Sequence, residues 1–237
     1  MFAWSVIVGA TILFGIPSSF AAFLPPRGDW YLLFARGWAK TLLFATGVKV
    51  RVAGREKLDP AASYIYFANH ESFYDILILL AYLPGRIRFL AKAGLFYLPI
   101  LGWSMAAAGF VPVDRSNSKR AAASLEKAAK RLRSGKSLII FPEQTRTKTG
   151  ELLPFKKGGV LIALKTGYPI LPVGIAGTFP ILKKGSFFLT PGPAALEIGD
   201  PIPTAGKSVA DREELLNTSR DAVLELRERG SLSLRGE

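Results

Sequence analysis

Hydrophobic and polar positions alternate in short, regular blocks along most of the chain. Val48-Lys49-Val50-Arg51-Val52 alternates with period two, the mark of a strand with one buried face. Tyr64 to Ala68 is a short continuous apolar run, as expected of a strand buried on both faces. Ser72 to Leu83 reads as a helix, Ile87 to Ala91 as a strand, and Gly109 to Val113 as another strand after a helical stretch of small residues. Leu125 and Leu132 set a helix from Ser118 to Ser134, which Gly135 terminates before the buried strand Ser137 to Phe141. Gly158 to Thr166 follows as helix and Ile170 to Ile175 as strand. Two further strands are expected around Phe187 to Leu189 and Ala195 to Ile198, and a last long helix from Val209 to Arg229, ending at Gly230. The alternation predicts an α/β fold, a mixed sheet flanked by helices, with no internal repeat and no linker between two domains.

The N-terminus breaks this rhythm. Residues 1 to 26 carry no charged side chain, and Phe2 to Ile16 is almost wholly apolar. A helix from Met1 to Ile16 reaches roughly 24 Å, short of a hydrocarbon core of about 30 Å unless it continues through Pro17. Pro25, Pro26 and Gly28 form a plausible turn, and a second apolar stretch runs from Trp30 to Phe44. There Arg36 and Lys40 share one face at i,i+4, which reads as an interfacial helix and not a spanning one. Residues 1–47 are therefore expected to be an apolar helical membrane anchor, a hairpin or kinked helix held against one leaflet, with the catalytic domain in 48–237. A single full span is the next reading. A cleaved signal peptide would use Ser19-Phe20-Ala21, but its basic n-region is missing. The plain alternative is a core helix of a soluble protein. Positive charge directly after the anchor places the body on the cytoplasmic side of the inner membrane.

Composition agrees with lipid contact and narrows the chemistry. Apolar residues make up 49% of the 237, and mean hydropathy is +0.26. Lys and Arg number 31 against 18 Asp and Glu, a net charge of +13 that favours anionic partners. Aromatic residues gather in the anchor and the strands, not among the basic residues, so nucleic acid is not expected as a partner. Cysteine is absent, which excludes disulfides, thiolate nucleophiles and Cys-ligated zinc. The single histidine, His70, excludes His-rich metal motifs, and no metal or bound cofactor is implied. Gly-Lys-Ser at Gly135 and Gly206 lacks the first P-loop glycine, since Lys130 and Pro201 stand there. Gly102-Trp103-Ser104-Met105-Ala106 lacks the final glycine of a nucleophile elbow.

The informative cluster is Asn69-His70-Glu71-Ser72-Phe73-Tyr74-Asp75, at a strand end where α/β proteins place their sites. His70 can take a proton from an alcohol if a carboxylate fixes its tautomer, and Asp75 in the first helical turn can serve. Ser72-x-x-Asp75 reads equally well as a capping box. Further on, Arg88 and Lys92 share a strand face, where a lysine can neutralise phosphate as a point charge, while Arg146 offers a two-pronged fork.

Asn-His, four residues and Asp resembles the first motif of the glycerolipid acyltransferase family, to which 1-acylglycerol-3-phosphate acyltransferases belong. Lys92, Leu95-Phe96, Pro99, Gly102 and Gly109 to Arg115 look like its second region. Phe141-Pro142-Glu143-Gln144-Thr145-Arg146-Thr147 is similar to its third, usually Phe-Pro-Glu-Gly-Thr-Arg-Ser. Leu171-Pro172-Val173 resembles the fourth. The resemblance covers roughly residues 48 to 200. It implies that His70 and Asp75 are catalytic, that Lys92 and Arg146 bind the acceptor phosphate, and that Glu143 supports the acceptor site. Arg115 and Gln144 are further candidates for substrate contact; Arg115 can instead pair with Asp114, and Gln144 stands where the family has glycine. The implied reaction moves a fatty acyl group from acyl carrier protein or coenzyme A to the free hydroxyl of a lysophospholipid, lysophosphatidic acid, forming phosphatidic acid. A related acyltransferase with another acceptor, such as a lyso-ornithine lipid, and a catalytically silent lipid-binding protein are the alternatives.

Overall fold

The computed structural model describes residues 2–21, 29–114, 118–132 and 135–237. Among these residues seven strands form one sheet: β1 (Lys49–Ala53), β2 (Ile65–Ala68), β3 (Ile87–Lys92), β4 (Val111–Val113), β5 (Ser137–Ile140), β6 (Ile170–Ala176) and β7 (Pro193–Ile198). Their order is β1-β7-β6-β2-β5-β3-β4. All pairings are parallel except β6 with β7, so β1 and β7 run together against the other five. The sheet is mixed, as the alternation of elements predicts. The central strands β2, β5 and β6 are buried throughout, which accounts for their unbroken apolar sequence.

Side chains alternate across β2 and divide the core. Tyr66 and Ala68 join Ile139, Phe141, Leu171 and Val173 beneath α2 (Trp30–Ala45) and α3 (Tyr74–Tyr82). Ile65 and Phe67 join Leu138, Ile140 and Ile170 beneath α5 (Ser118–Leu132), α6 (Gly158–Thr166) and α8 (Arg212–Arg235). The registers Ile65↔Leu138 and Ile65↔Ile170 bring the carboxyl ends of β2, β5 and β6 to one edge. The segments that leave those ends build the site.

Two expectations fail. Phe187 to Leu189 forms no strand: its backbone bonds to Ser186 and to Trp4 instead of a ladder, and Phe187 and Phe188 point outward. Helix α8 does not stop at Gly230 but continues to Arg235 and ends on Gly236 at φ +83°. Gly230 is there for packing, because a Cβ would stand 3.2 Å from the Cβ of Ala195 and 3.3 Å from that of Ala176. A glycine inside a helix weakens it by about 1 kcal/mol, and here that cost is offset by close seating on the sheet.

The N-terminal helix α1 (Phe2–Ala21) runs through Pro17, so its 20 residues reach roughly 30 Å. Its Trp4–Ala21 segment is long and apolar enough to cross a membrane. It lies along the body, however, and does not project from it. Trp38 Nε1 donates to Thr11 Oγ1 at 3.2 Å, and Ser104 Oγ on α4 (Leu101–Ala107) donates to Gly15 O at 3.1 Å. Trp4, Val8, Ile12, Ile16 and Phe20 form an exposed stripe on its far side. On helix α2, Leu42 and Leu43 are buried in the core and Arg36 donates to Leu83 O and Gly85 O, while Trp30, Leu33 and Phe44 are exposed. Lys40 stays exposed. The expected turn at Pro25, Pro26 and Gly28 lies outside the described residues.

Candidate active site

Asn69 begins the first corner by imitating a strand residue. Its side-chain amide donates to Ile175 O at 2.8 Å and accepts from Ile175 N at 2.7 Å, tying the end of β2 to β6. The chain then turns so that His70 reaches Asp75. Nδ1 of His70 stands 2.9 Å from Oδ2 of Asp75, whose side chain is fully buried, while His70 keeps 14% of its side chain exposed. The same Oδ2 accepts from the backbone N–H groups of Glu71 at 2.7 Å and Ser72 at 2.8 Å. Oδ1 accepts from Thr178 Oγ1 at 2.5 Å, just before which Gly177 turns the chain at φ +82°. A carboxylate oxygen can only accept, so a neutral imidazole in this place would carry its proton on Nδ1 and its lone pair on Nε2. The His70 ring lies flat on Phe141, centroids 3.9 Å apart and planes 15° off parallel, which holds its orientation.

The capping-box reading of Ser72 and Asp75 is half of what is found. Asp75 does accept backbone N–H groups at the head of α3, but Ser72 Oγ donates away to Leu182 O, and the cap position is Phe73. Binding the backbone is what aims the carboxylate at His70.

The second corner follows β5. Glu143 is buried, and both its oxygens face the backbone: Oε1 accepts from His70 N at 2.6 Å and Oε2 from Leu153 N at 2.8 Å. Burial pushes its carboxyl up to about 7, against the lowering effect of those two backbone donors. Thr147 N donates to His70 O at 3.0 Å, so the two corners are joined twice. Between these fixed points the backbone arches outward. Gln144 sits at φ +63°, a left-handed conformation costly for a residue with a side chain, and this is the position at which the family pattern has glycine. Its exposed side chain lines a cavity of about 270 Å³ with Phe141, Pro142, Lys156 and Leu90. Arg146 is half-buried, and among the described residues its guanidinium has no ion-pair partner.

The other candidates are placed separately. Lys92 is the exposed last residue of β3, at the same carboxyl edge, in register with Val113. Arg88 lies four residues deeper on the strand, buried, and pairs with Asp29 at 3.3 Å, so it serves the fold while Lys92 is left for solvent or ligand. Arg115 lies outside the described residues. The described residues hold no group of three or more His, Cys, Asp or Glu side chains placed to hold a metal ion.

Two supporting residues had no sequence signal. Thr178 reaches Asp75 across 103 positions. Arg227, on α8, bonds Glu71 Oε1 through Nε and Gly150 O through Nη2, and so braces the residue next to His70. Burial raises the Glu71 carboxyl pKa, and the Arg227 charge opposes that rise. Nothing local marks such contacts, because they are made by elements that meet only in the fold.

Comparison with known proteins agrees with this geometry. A family model described as Acyltransferase matches residues 49–176, which contain both corners. A 1-acyl-sn-glycerol-3-phosphate acyltransferase of Borreliella burgdorferi is 31% identical over 192 residues, 81% of this chain and 77% of its own length. A chloroplastic 1-acyl-sn-glycerol-3-phosphate acyltransferase of Brassica napus is 36% identical over 161 residues, 68% of this chain. The chain spans about half the length of that plant relative and of its Arabidopsis thaliana counterpart. The crystal structure of the 1-acyl-sn-glycerophosphate acyltransferase of Thermotoga maritima superposes with a TM-score of 0.80 at 29% identity, covering 95% of this chain and 93% of that one. With the family model covering more than half of the chain and the same fold in a solved relative, this protein belongs to the acyltransferase family.

Proposed function

We propose that the protein moves a fatty acyl group from an acyl thioester of acyl carrier protein or coenzyme A to the free hydroxyl of 1-acyl-sn-glycerol-3-phosphate, giving phosphatidic acid. The observation that carries the reading is the His70 and Asp75 pair: Asp75 is saturated with donors, so Nε2 of His70 is held as a base beside an arginine that has no ion-pair partner among the described residues. In this mechanism the acceptor hydroxyl gives its proton to Nε2 as its oxygen attacks the thioester carbonyl. The tetrahedral intermediate collapses with cleavage of the C–S bond, and the departing thiolate takes the proton back from the imidazolium. Asp75 steadies that imidazolium. No covalent acyl-enzyme is needed, because a thioester is reactive enough for a positioned alcohol.

In the same reading Arg146 and Lys92 grip the acceptor phosphate, the first as a fork and the second as a point charge. Glu143 acts behind them: its two oxygens are occupied by backbone N–H groups, so it holds the two corners together and does not itself face an anion. Helix α1 is read as an anchor in one leaflet. The bonds at Trp4, Thr11 and Gly15 along its length support this, since a helix crossing the bilayer would have to take its neighbours with it.

The test is acyl transfer by the purified chain, read as thiol release and lipid product, with paired acceptors that differ only in the terminal phosphate. Transfer to the phosphate-bearing acceptor alone is expected. Equal transfer to both, or preference for a zwitterionic headgroup such as a lyso-ornithine lipid, would move the acceptor assignment, and thiol release dependent on no acceptor would remove it.

A further inference from the structure

The turn from Lys183 to Phe188 presents two adjacent phenylalanines to solvent, Phe187 at 77% and Phe188 at 87% exposure. Two large apolar rings held in water are unfavourable, and exposed apolar residues are ordinary only when they do not form a patch. These do form one. Trp4, at the head of the exposed stripe of α1, donates from Nε1 to Phe187 O at 2.8 Å, and the two rings lie 5.9 Å apart. The stripe of Val8, Ile12, Ile16 and Phe20 therefore continues onto the catalytic body through the turn.

The turn is built, not slack. Gly185 at φ +84° reverses the chain, Ser186 N donates to Lys183 O at 3.0 Å, Phe188 N donates to Ser186 Oγ at 3.0 Å, and Thr190 N donates to Ile181 O at 2.9 Å. It also carries two cations. Lys183 is exposed, its ammonium 5.5 Å from the Phe179 ring. Lys184 donates to Thr145 Oγ1 at 2.7 Å and Arg146 O at 3.2 Å, which ties the turn to the corner assigned to the acceptor phosphate.

We propose that the Lys183–Phe188 turn is a second point of contact with an anionic lipid surface, in which Phe187 and Phe188 enter the leaflet occupied by α1 and set the Thr145–Arg146 corner at headgroup depth. Aromatic rings flanked by lysine suit the boundary between acyl chains and anionic headgroups. The inference rests on the reading of α1 as a one-leaflet anchor.

Because the chain has no cysteine, Phe188→Cys takes a single environment-sensitive fluorophore, and Ala205→Cys, exposed at the far end of the strands, takes the same probe as a reference. With phosphatidylglycerol vesicles, the probe at position 188 is expected to shift to the blue and the probe at 205 to stay unchanged. In flotation, Phe187→Ser combined with Phe188→Ser should lower vesicle partition about tenfold. It should also lower the ratio of activity on vesicle-embedded acceptor to activity on short-chain soluble acceptor. No spectral shift at position 188 while the unaltered chain floats with vesicles overturns the turn as a contact and leaves the α1 anchor standing. Failure of the unaltered chain to bind vesicles overturns both.

Discussion

The corner after β2 and the corner after β5 lie side by side on neighbouring parallel strands, yet they are built in opposite ways. The first is closed: Asn69, Ser72 and Asp75 are buried, and the bonds of Asp75 leave His70 one orientation. The second is held at Glu143 and Thr147 and braced from outside by Lys184, and between those points Gln144 and Thr145 are exposed and Arg146 is half-buried on an arch with a left-handed residue at its head. On the proposed mechanism the difference has a reason: proton transfer tolerates little misplacement, so its groups would be locked by packing, whereas recognition of a headgroup needs side chains with room to meet it. The contrast teaches that one edge of a sheet can carry a rigidly bonded corner beside a more open one.

Several substitutions would break or sharpen this contrast, and the largest effect is expected in the closed corner. His70→Ala should cut turnover by about 10² to 10⁴ with the fold intact, since general-base help is of that size; near-normal turnover would end the mechanism. Asp75→Asn should retain most of its stability, because Thr178 can turn its hydroxyl to accept from the new amide, yet turnover should fall about 10²-fold for want of a charge opposite the imidazolium. A melting temperature that drops while turnover holds would make Asp75 a cap and nothing more.

In the open corner the effect should appear in affinity. Arg146→Ala and Lys92→Ala should each raise the acceptor KM about 10- to 100-fold, the worth of a charge-assisted bond, with the donor KM little changed. Parallel rises in both constants would separate these residues from the phosphate.

Glu143 joins the two corners, and its pKa makes it a test of their coupling. The folded-state value is raised from 4.5 to about 7, so the folded chain holds an extra proton across that window. The contribution to stability is full below about pH 4.5 and is lost as pH rises through about 7, roughly 3 kcal/mol over the interval. Denaturant melts from pH 4 to 8 should show that decline in the unaltered chain and a shallower one for Glu143→Gln, in which the raised Glu71 carboxyl still titrates. The smallest effect is expected at the top of the arch: Gln144→Gly relieves the positive φ and should raise stability by up to about 1 kcal/mol. If the side chain reads the acceptor, the ranking of headgroups should change in the same variant; an unchanged ranking would leave Gln144 as a tolerated strain.

Much of this was legible in the chain itself, because strands and helices of this size are written in short-range periodicity. The unbroken apolar runs of β2, β5 and β6 mark the sheet centre, Gly135 marks the end of α5, and Asn69 to Asp75 and Phe141 to Thr147 mark the two corners. Where local pattern misled, a distant partner decided. Phe187 to Leu189 has the composition of a strand but its backbone is taken by Ser186 and by Trp4 of α1, and Gly230 looks like a helix stop but is the place where α8 touches the sheet. Thr178, Arg227 and Lys184 came to the site only through tertiary contacts, across 103, 156 and 39 positions. The sequence by itself determined which elements form and which groups can do acid–base chemistry, since those depend on side-chain type and near neighbours. The tertiary structure alone decided that Asp75 serves His70 as well as the backbone, that Glu143 faces inward, and that Gln144 stands at a left-handed angle. Those outcomes depend on which buried donors and acceptors meet once the sheet has closed, and no spacing along the chain records that.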